Sequence, residues 1–133
     1  MIHWAGARLG STEYAGRCLS FIEDALERSN AIEIFGGDSA KESALLYADG
    51  MRQGIPKRGA FVFYDCICQD PDGPVNWGHC GISLGDGRTI HAWDAMRIDG
   101  YRDIEAITAL SEDHPKYIGW VPVERVLKQK ENG

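Results

Sequence analysis

Residues 78–92 read Gly78-His79-Cys80-Gly81-Ile82-Ser83-Leu84-Gly85-Asp86-Gly87-Arg88-Thr89-Ile90-His91-Ala92. The runs HCGISLG and TIHAW carry strand-forming residues, and GDGR between them is a turn, so the stretch predicts a β-hairpin. Paired strands bring side chains onto a common face when the register allows it. A hairpin turning near Asp86-Gly87 puts His79 and His91 within reach of each other. One ring then orients the other, the part that aspartate or asparagine takes in other triads. The alternative is two half-exposed strand histidines with no joint role.

Working outward, AFVFYDCIC from Ala60 is rich in aromatic and β-branched residues and predicts a strand. QDPDGPVNWG, with its prolines, glycines and aspartates, predicts a loop. Beyond the hairpin, MRIDGY predicts a short strand, about Ile104–Leu110 a short helix, and YIGWVPV the last strand. Before Ala60 the period is helical. In AGRCLSFIEDALERSN, Leu19, Ile22 and Leu26 recur at spacings of three and four. A second helix is expected from about Ser39 to Gln53. Asp38 or Ser39 caps it, Glu42 completes a capping box, and Ala44, Tyr47, Ala48 and Met51 form its stripe. Gly54-Ile55-Pro56 ends it. Helices followed by a mostly antiparallel sheet make an α+β pattern. One domain is expected over residues 1–133, helical over about 11–55 and sheet over about 58–127.

The chain has 133 residues, the length of one domain with a core of its own. Its net charge is −6, with lysines and arginines scattered and outnumbered, which argues against nucleic acid as a partner. No run approaches the roughly 18 apolar residues of a membrane span. The N-terminal MIHWAGARLGSTEY has no basic region followed by an apolar run, so no signal peptide is expected in it. That leaves a cytoplasmic location, or an extracellular one reached by trimming or by export without a signal peptide. The four cysteines, Cys18, Cys66, Cys68 and Cys80, lack the spacing of a disulfide scaffold. Cys66 and Cys68 read as neighbours on one face of a strand. A zinc site favours two intervening residues, so neither metal nor another cofactor is expected, and free thiols are.

Cys18 falls at the start of the first helical pattern, beside Arg17. Unpaired N–H groups and the positive end of the helix dipole stabilise a thiolate at such a place. Buried cysteine is commonly just a small hydrophobe, however, so placement alone does not decide. A nucleophile needs a base, and His79, flanked by Gly78 and Gly81, is the candidate. His3, near the terminus, and His114, in SEDHPK, read as solvent-exposed.

These residues carry a resemblance. A tyrosine-containing turn, a cysteine at a helix start, Arg58-Gly59-Ala60-Phe61-Val62-Phe63-Tyr64, then Gly78-His79-Cys80-Gly81-Ile82-Ser83-Leu84-Gly85 and Ile90-His91-Ala92 resemble the NlpC family of bacterial cell-wall cysteine peptidases. The family patterns are P-G-D-L-V-F-F, G-H-V-G-I-Y-L-G and I-H-A. The likeness runs from about Gly10 to Trp93. It departs at Arg17-Cys18-Leu19-Ser20, where the family usually has D-C-S-G, and at Ala60, where it has aspartate.

The resemblance implies a papain-like fold, with N-terminal helices packed on the sheet. It also implies hydrolysis of an amide bond in a peptidoglycan stem peptide, typically after D-glutamate and before a diamino acid. Cys18 is then the nucleophile, His79 its base, and His91 the residue that orients the base. Tyr14 stands where a family tyrosine lines the substrate cleft. Trp77 and Trp93 are candidates for its edges, and Asp94 and Arg97 lie near the same rim. Tryptophan is more often core than cleft, so that reading stays open too. An amidase, thioesterase or acyltransferase on the same fold, or a non-catalytic binding module, are the alternatives. Oligomeric state is not readable from the sequence.

Overall fold

The computed structural model describes residues 2–12, 21, 39–70, 73–93, 96–107 and 115–122. Among them lie two short α-helices, α1 (Ile2–Gly6) and α2 (Ala40–Leu46). The strands are β1 (Phe61–Asp65), β2 (Ile67–Asp70), β3 (Gly73–Asn76), β4 (His79–Ser83), β5 (Arg88–Ala92), β6 (Met96–Gly100) and β7 (Lys116–Val121). Five of them form an antiparallel sheet in the order β6-β5-β4-β1-β7. The architecture is α+β.

Alternation divides the sheet into two faces. Phe61 pairs with Ile82 and Phe63 with Cys80, so these four share one face. Ile90, Ala92, Met96 and Val121 extend it, and Ala5 of α1, Phe21, and Ala40, Ala44 and Tyr47 cover it in one buried cluster. The opposite face carries Val62, Tyr64 and Trp120, packed with Ile104 in a smaller cluster. His79 belongs to this second face because it pairs with Tyr64. His91 joins it because it pairs with Gly81, which itself pairs with Val62.

The expected β4–β5 hairpin forms, with Gly81 opposite His91 and Ser83 opposite Thr89. MRIDGY contributes β6, and YIGWVPV contributes most of β7. Other expectations are corrected. AFVFYDCIC is two strands, not one, because the chain leaves the main sheet at Cys66. There the Asn76 Oδ1 accepts the Cys66 N–H at 3.0 Å in place of a ladder bond. Cys66 and Cys68 therefore do not lie side by side on one strand. QDPDGPVNWG is not a plain loop either: Gly73–Asn76 pairs with Ile67–Asp70 as a separate two-stranded ribbon. A ribbon lying off the main sheet needs no apolar alternation, so its composition reads as loop.

The second helix is shorter than its pattern. Ser39 caps it, its Oγ accepting from the Glu42 N–H at 3.1 Å. The α-helix stops at Leu46, and a 3-10 turn follows over Ala48–Gly50. Arg52 then pairs with Trp120 of β7 through reciprocal backbone hydrogen bonds of 2.8 and 2.9 Å. That pairing takes the chain out of helical geometry, and Ala48 is exposed as a result. The expected 104–110 helix is a 3-10 turn over Asp103–Ala106, with 108–110 outside the described residues. The chain around His3 is helical in α1, and Ala5 is fully buried. The helix expected around Cys18 lies outside the described residues except for Phe21. No helix among the described residues is long and apolar enough to cross a membrane.

Candidate active site

His79 opens β4, and the turn before it is tied down from several sides. Asn76 Oδ1 accepts the N–H groups of both Cys66 and Gly78, each at 3.0 Å. Asn76 Nδ2 donates to Asp65 Oδ1 at 2.7 Å, and the Lys41 ammonium reaches the same oxygen at 2.6 Å. Burial alone would raise the Asp65 pKa; the hydrogen bonds from Lys41 and Asn76 outweigh it and hold the carboxyl below its ordinary value. The Lys41 N–H, in the first turn of α2, donates to Trp77 O at 3.0 Å. Gly78 has φ +73°, and a Cβ there would meet Lys41 N at 2.5 Å. Only glycine fits so close to the helix in that left-handed conformation.

The two histidines meet. His79 Nε2 and His91 Nδ1 lie 2.7 Å apart, the rings edge to face with centroids 4.9 Å apart. His79 is 3% exposed and His91 0%. The reach is diagonal across the sheet, over Gly81, which faces His91. A Cβ at Gly81 would sit 2.9 Å from His91 Cβ and 2.6 Å from Thr89 Cγ2. The absent side chain is the space through which one ring reaches the other. Among the described residues, Nδ1 of His79 has no hydrogen-bond partner.

The line continues beyond the expected pair. His91 Nε2 lies 2.7 Å from Asp99 Oδ2. Arg97 clamps the same carboxylate, Nε at 2.7 Å from Oδ2 and Nη2 at 3.2 Å from Oδ1. Burial pushes Asp99 upward, but the hydrogen bonds from His91 and Arg97 prevail and leave its pKa below the usual value. Burial and the neighbouring charge of His79 push His91 down to about 4, against the partial opposition of Asp99. His91 is thus neutral across the physiological range.

No family model, curated protein or solved structure matches this chain. The site is therefore read from its own geometry. Of the residues expected there, His79, His91 and Trp93 come together: the Trp93 ring stands edge to face on His79 with centroids 4.9 Å apart. Trp77 is half-exposed, two residues before His79, where the chain turns into β4. Tyr14, Cys18, Asp94 and His114 lie outside the described residues. Flanking Tyr14 and Cys18, the Ser11 carbonyl accepts the Met96 N–H at 2.8 Å, at the end of the sheet that carries Trp93 and His79. Phe21 is buried in the core. Arg97, expected near a substrate rim, has its guanidinium on Asp99. Cys80 points into the opposite face from His79. Among the described residues, no three His, Cys, Asp or Glu side chains are grouped to hold a metal ion.

Two site residues escaped the sequence reading. Asp99 was visible as a polar position in the MRIDGY strand. Carrying the hairpin register one strand further would have put it diagonally beside His91. Asn76 lies inside QDPDGPVNWG, whose composition is that of a loop.

Proposed function

We propose that this chain is a papain-like cysteine hydrolase of the NlpC type, which cleaves an amide bond of a peptidoglycan stem peptide with Cys18 as nucleophile. The observation that carries the reading is the buried His79–His91 hydrogen bond, made through Nε2 of His79, with Nδ1 unpartnered among the described residues. A general base is recognised by that arrangement: one nitrogen held, the other available. The nucleophile and the substrate rest on the sequence resemblance.

In this mechanism His79 Nδ1 takes the Cys18 thiol proton. The thiolate attacks the amide carbonyl carbon, and the C–N bond breaks as the His79 imidazolium gives that proton to the leaving amine. Water then attacks the thioester carbon, its proton passing to His79; the C–S bond breaks, the carboxylic acid leaves, and His79 returns the proton to the Cys18 sulfur. His91 stays neutral and holds the His79 ring in place. Trp93, standing edge to face on His79, and Trp77, half-exposed two residues before it, are the candidates for the edges of the substrate cleft.

The test is incubation of the wild type and Cys18→Ala with soluble muropeptides, read by mass spectrometry. New fragments from the wild type alone are expected, and their masses name the bond. Turnover by Cys18→Ala at the wild-type rate would overturn the reading. Intact muropeptides in both, beside a Cys18 that alkylates rapidly, would move the search to other amides, thioesters or lipids.

A further inference from the structure

We infer that Asp99 is a positioning residue that sets the tautomers of both histidines, making the base assembly one residue longer than the expected triad. The role of His79 as base rests on the proposed function; the tautomers themselves do not.

A carboxylate only accepts hydrogen bonds. Asp99 is held in that form by two Arg97 contacts, so the 2.7 Å contact with His91 Nε2 must be donated by His91. A neutral imidazole has one donor and one acceptor. With Nε2 donating, Nδ1 of His91 can only accept. His91 is buried, and among the described residues the titratable or charged groups that act on it are His79, Asp99 and Arg97. Two of these three disfavour a second proton on His91, and burial outweighs Asp99's opposing pull. The 2.7 Å contact between the rings is then donated by His79 Nε2–H. Neutral His79 is left with its lone pair on Nδ1, the nitrogen that no described residue occupies. When Nδ1 gains a proton, the Nε2–H bond to His91 is already in place, so charging the base requires no rearrangement of the line. Without Asp99, His91 is free to carry its proton on Nδ1. It would then donate to His79, force the His79 proton onto Nδ1, and block the base.

The experiment is long-range ¹H–¹⁵N correlation of the histidine rings in the full chain, at alkaline pH. In the wild type both His79 and His91 are expected as Nε2–H tautomers, each with an unprotonated Nδ1 signal. In Asp99→Ala, His91 is expected to split between tautomers, and alkylation of Cys18 by iodoacetamide at neutral pH to slow by about tenfold or more. Asp99→Asn, whose amide oxygen still accepts, is expected to restore the Nε2–H signal of His91. An Nδ1–H tautomer at either histidine in the wild type would overturn the inference, and so would wild-type ring signals in a folded Asp99→Ala. If Asp99→Ala does not fold, the wild-type tautomers decide alone. Muropeptides left intact by a protein with the expected tautomers would sink the hydrolase reading and leave the role of Asp99 standing. Cleavage by a protein with the opposite tautomers would do the reverse.

Discussion

The two faces of the five-stranded sheet are built from the same strands on opposite terms. One face is apolar and covered: Phe61, Phe63, Cys80, Ile82 and Ile90 meet α1, Phe21 and α2. The other carries a line of polar groups, His79, His91 and Asp99, each within 2.7 Å of the next. Members of the two sets are neighbours in sequence, His79 beside Cys80, Ile90 beside His91, and Ile98 beside Asp99. Strict alternation lets adjacent positions serve stability and chemistry separately. The faces should therefore come apart under mutation.

The largest effect is expected on the polar face. His79→Ala should lower muropeptide turnover by a factor on the order of a thousand, within the range for a general base, with a stability loss of only about 1–3 kcal/mol from the acceptor left unpaired on His91. Ile82→Ala, three positions away on the apolar face, should do the converse. It should cost about 2–5 kcal/mol in urea unfolding while leaving turnover per folded molecule near wild type. Comparable losses of stability from both variants would end the division of labour.

Gly81→Ala should breach the boundary. Its Cβ would enter the space between the histidines and press on the Ile90 carbonyl at 2.8 Å. About 1–3 kcal/mol of stability and most of the turnover should go together, read from the same two assays. The smallest effect concerns pH. His91 is neutral in the fold down to about 4 but titrates near 6.5 when unfolded. Between those values the unfolded chain binds more protons, so stability should fall as pH drops from about 6.5 to about 4. Asp99, with its lowered pKa, loses its contribution only below the ordinary carboxylate value near 3.8. The two windows are separate. Unfolding of His91→Gln should show a shallower loss in the upper window, and an unchanged slope there would contradict the neutral buried imidazole.

The sheet and its histidines were legible because their signals are local. The Gly85-Asp86-Gly87 turn sets the register, and register alone brings His91 opposite Gly81 and hence beside His79. Helix length was not legible, because what ends α2 is a partner 68 positions from Arg52, the Trp120 backbone. The β2–β3 ribbon was missed for a related reason. Asn76 draws Cys66 off the main sheet with a side-chain bond that no periodicity announces. Asp99 was missed because its role depends on two successive diagonal contacts across three strands. Tyr14 and Cys18 remain sequence expectations.

One feature of the sheet bears on how the protein behaves in a crowded solution. Each outer strand is closed by a reciprocal pair of backbone hydrogen bonds from a segment outside the sheet. Gly10 and Ser11 pair with Met96 on β6, and Arg52 pairs with Trp120 on β7. Unpaired edge strands are templates on which another chain can add. Here each edge is interrupted at a residue that an incoming strand would need, so a second copy meets a broken ladder on either side. The backbone groups of Gly10, Ser11 and Arg52 thus guard both edges of the sheet against the addition of another chain.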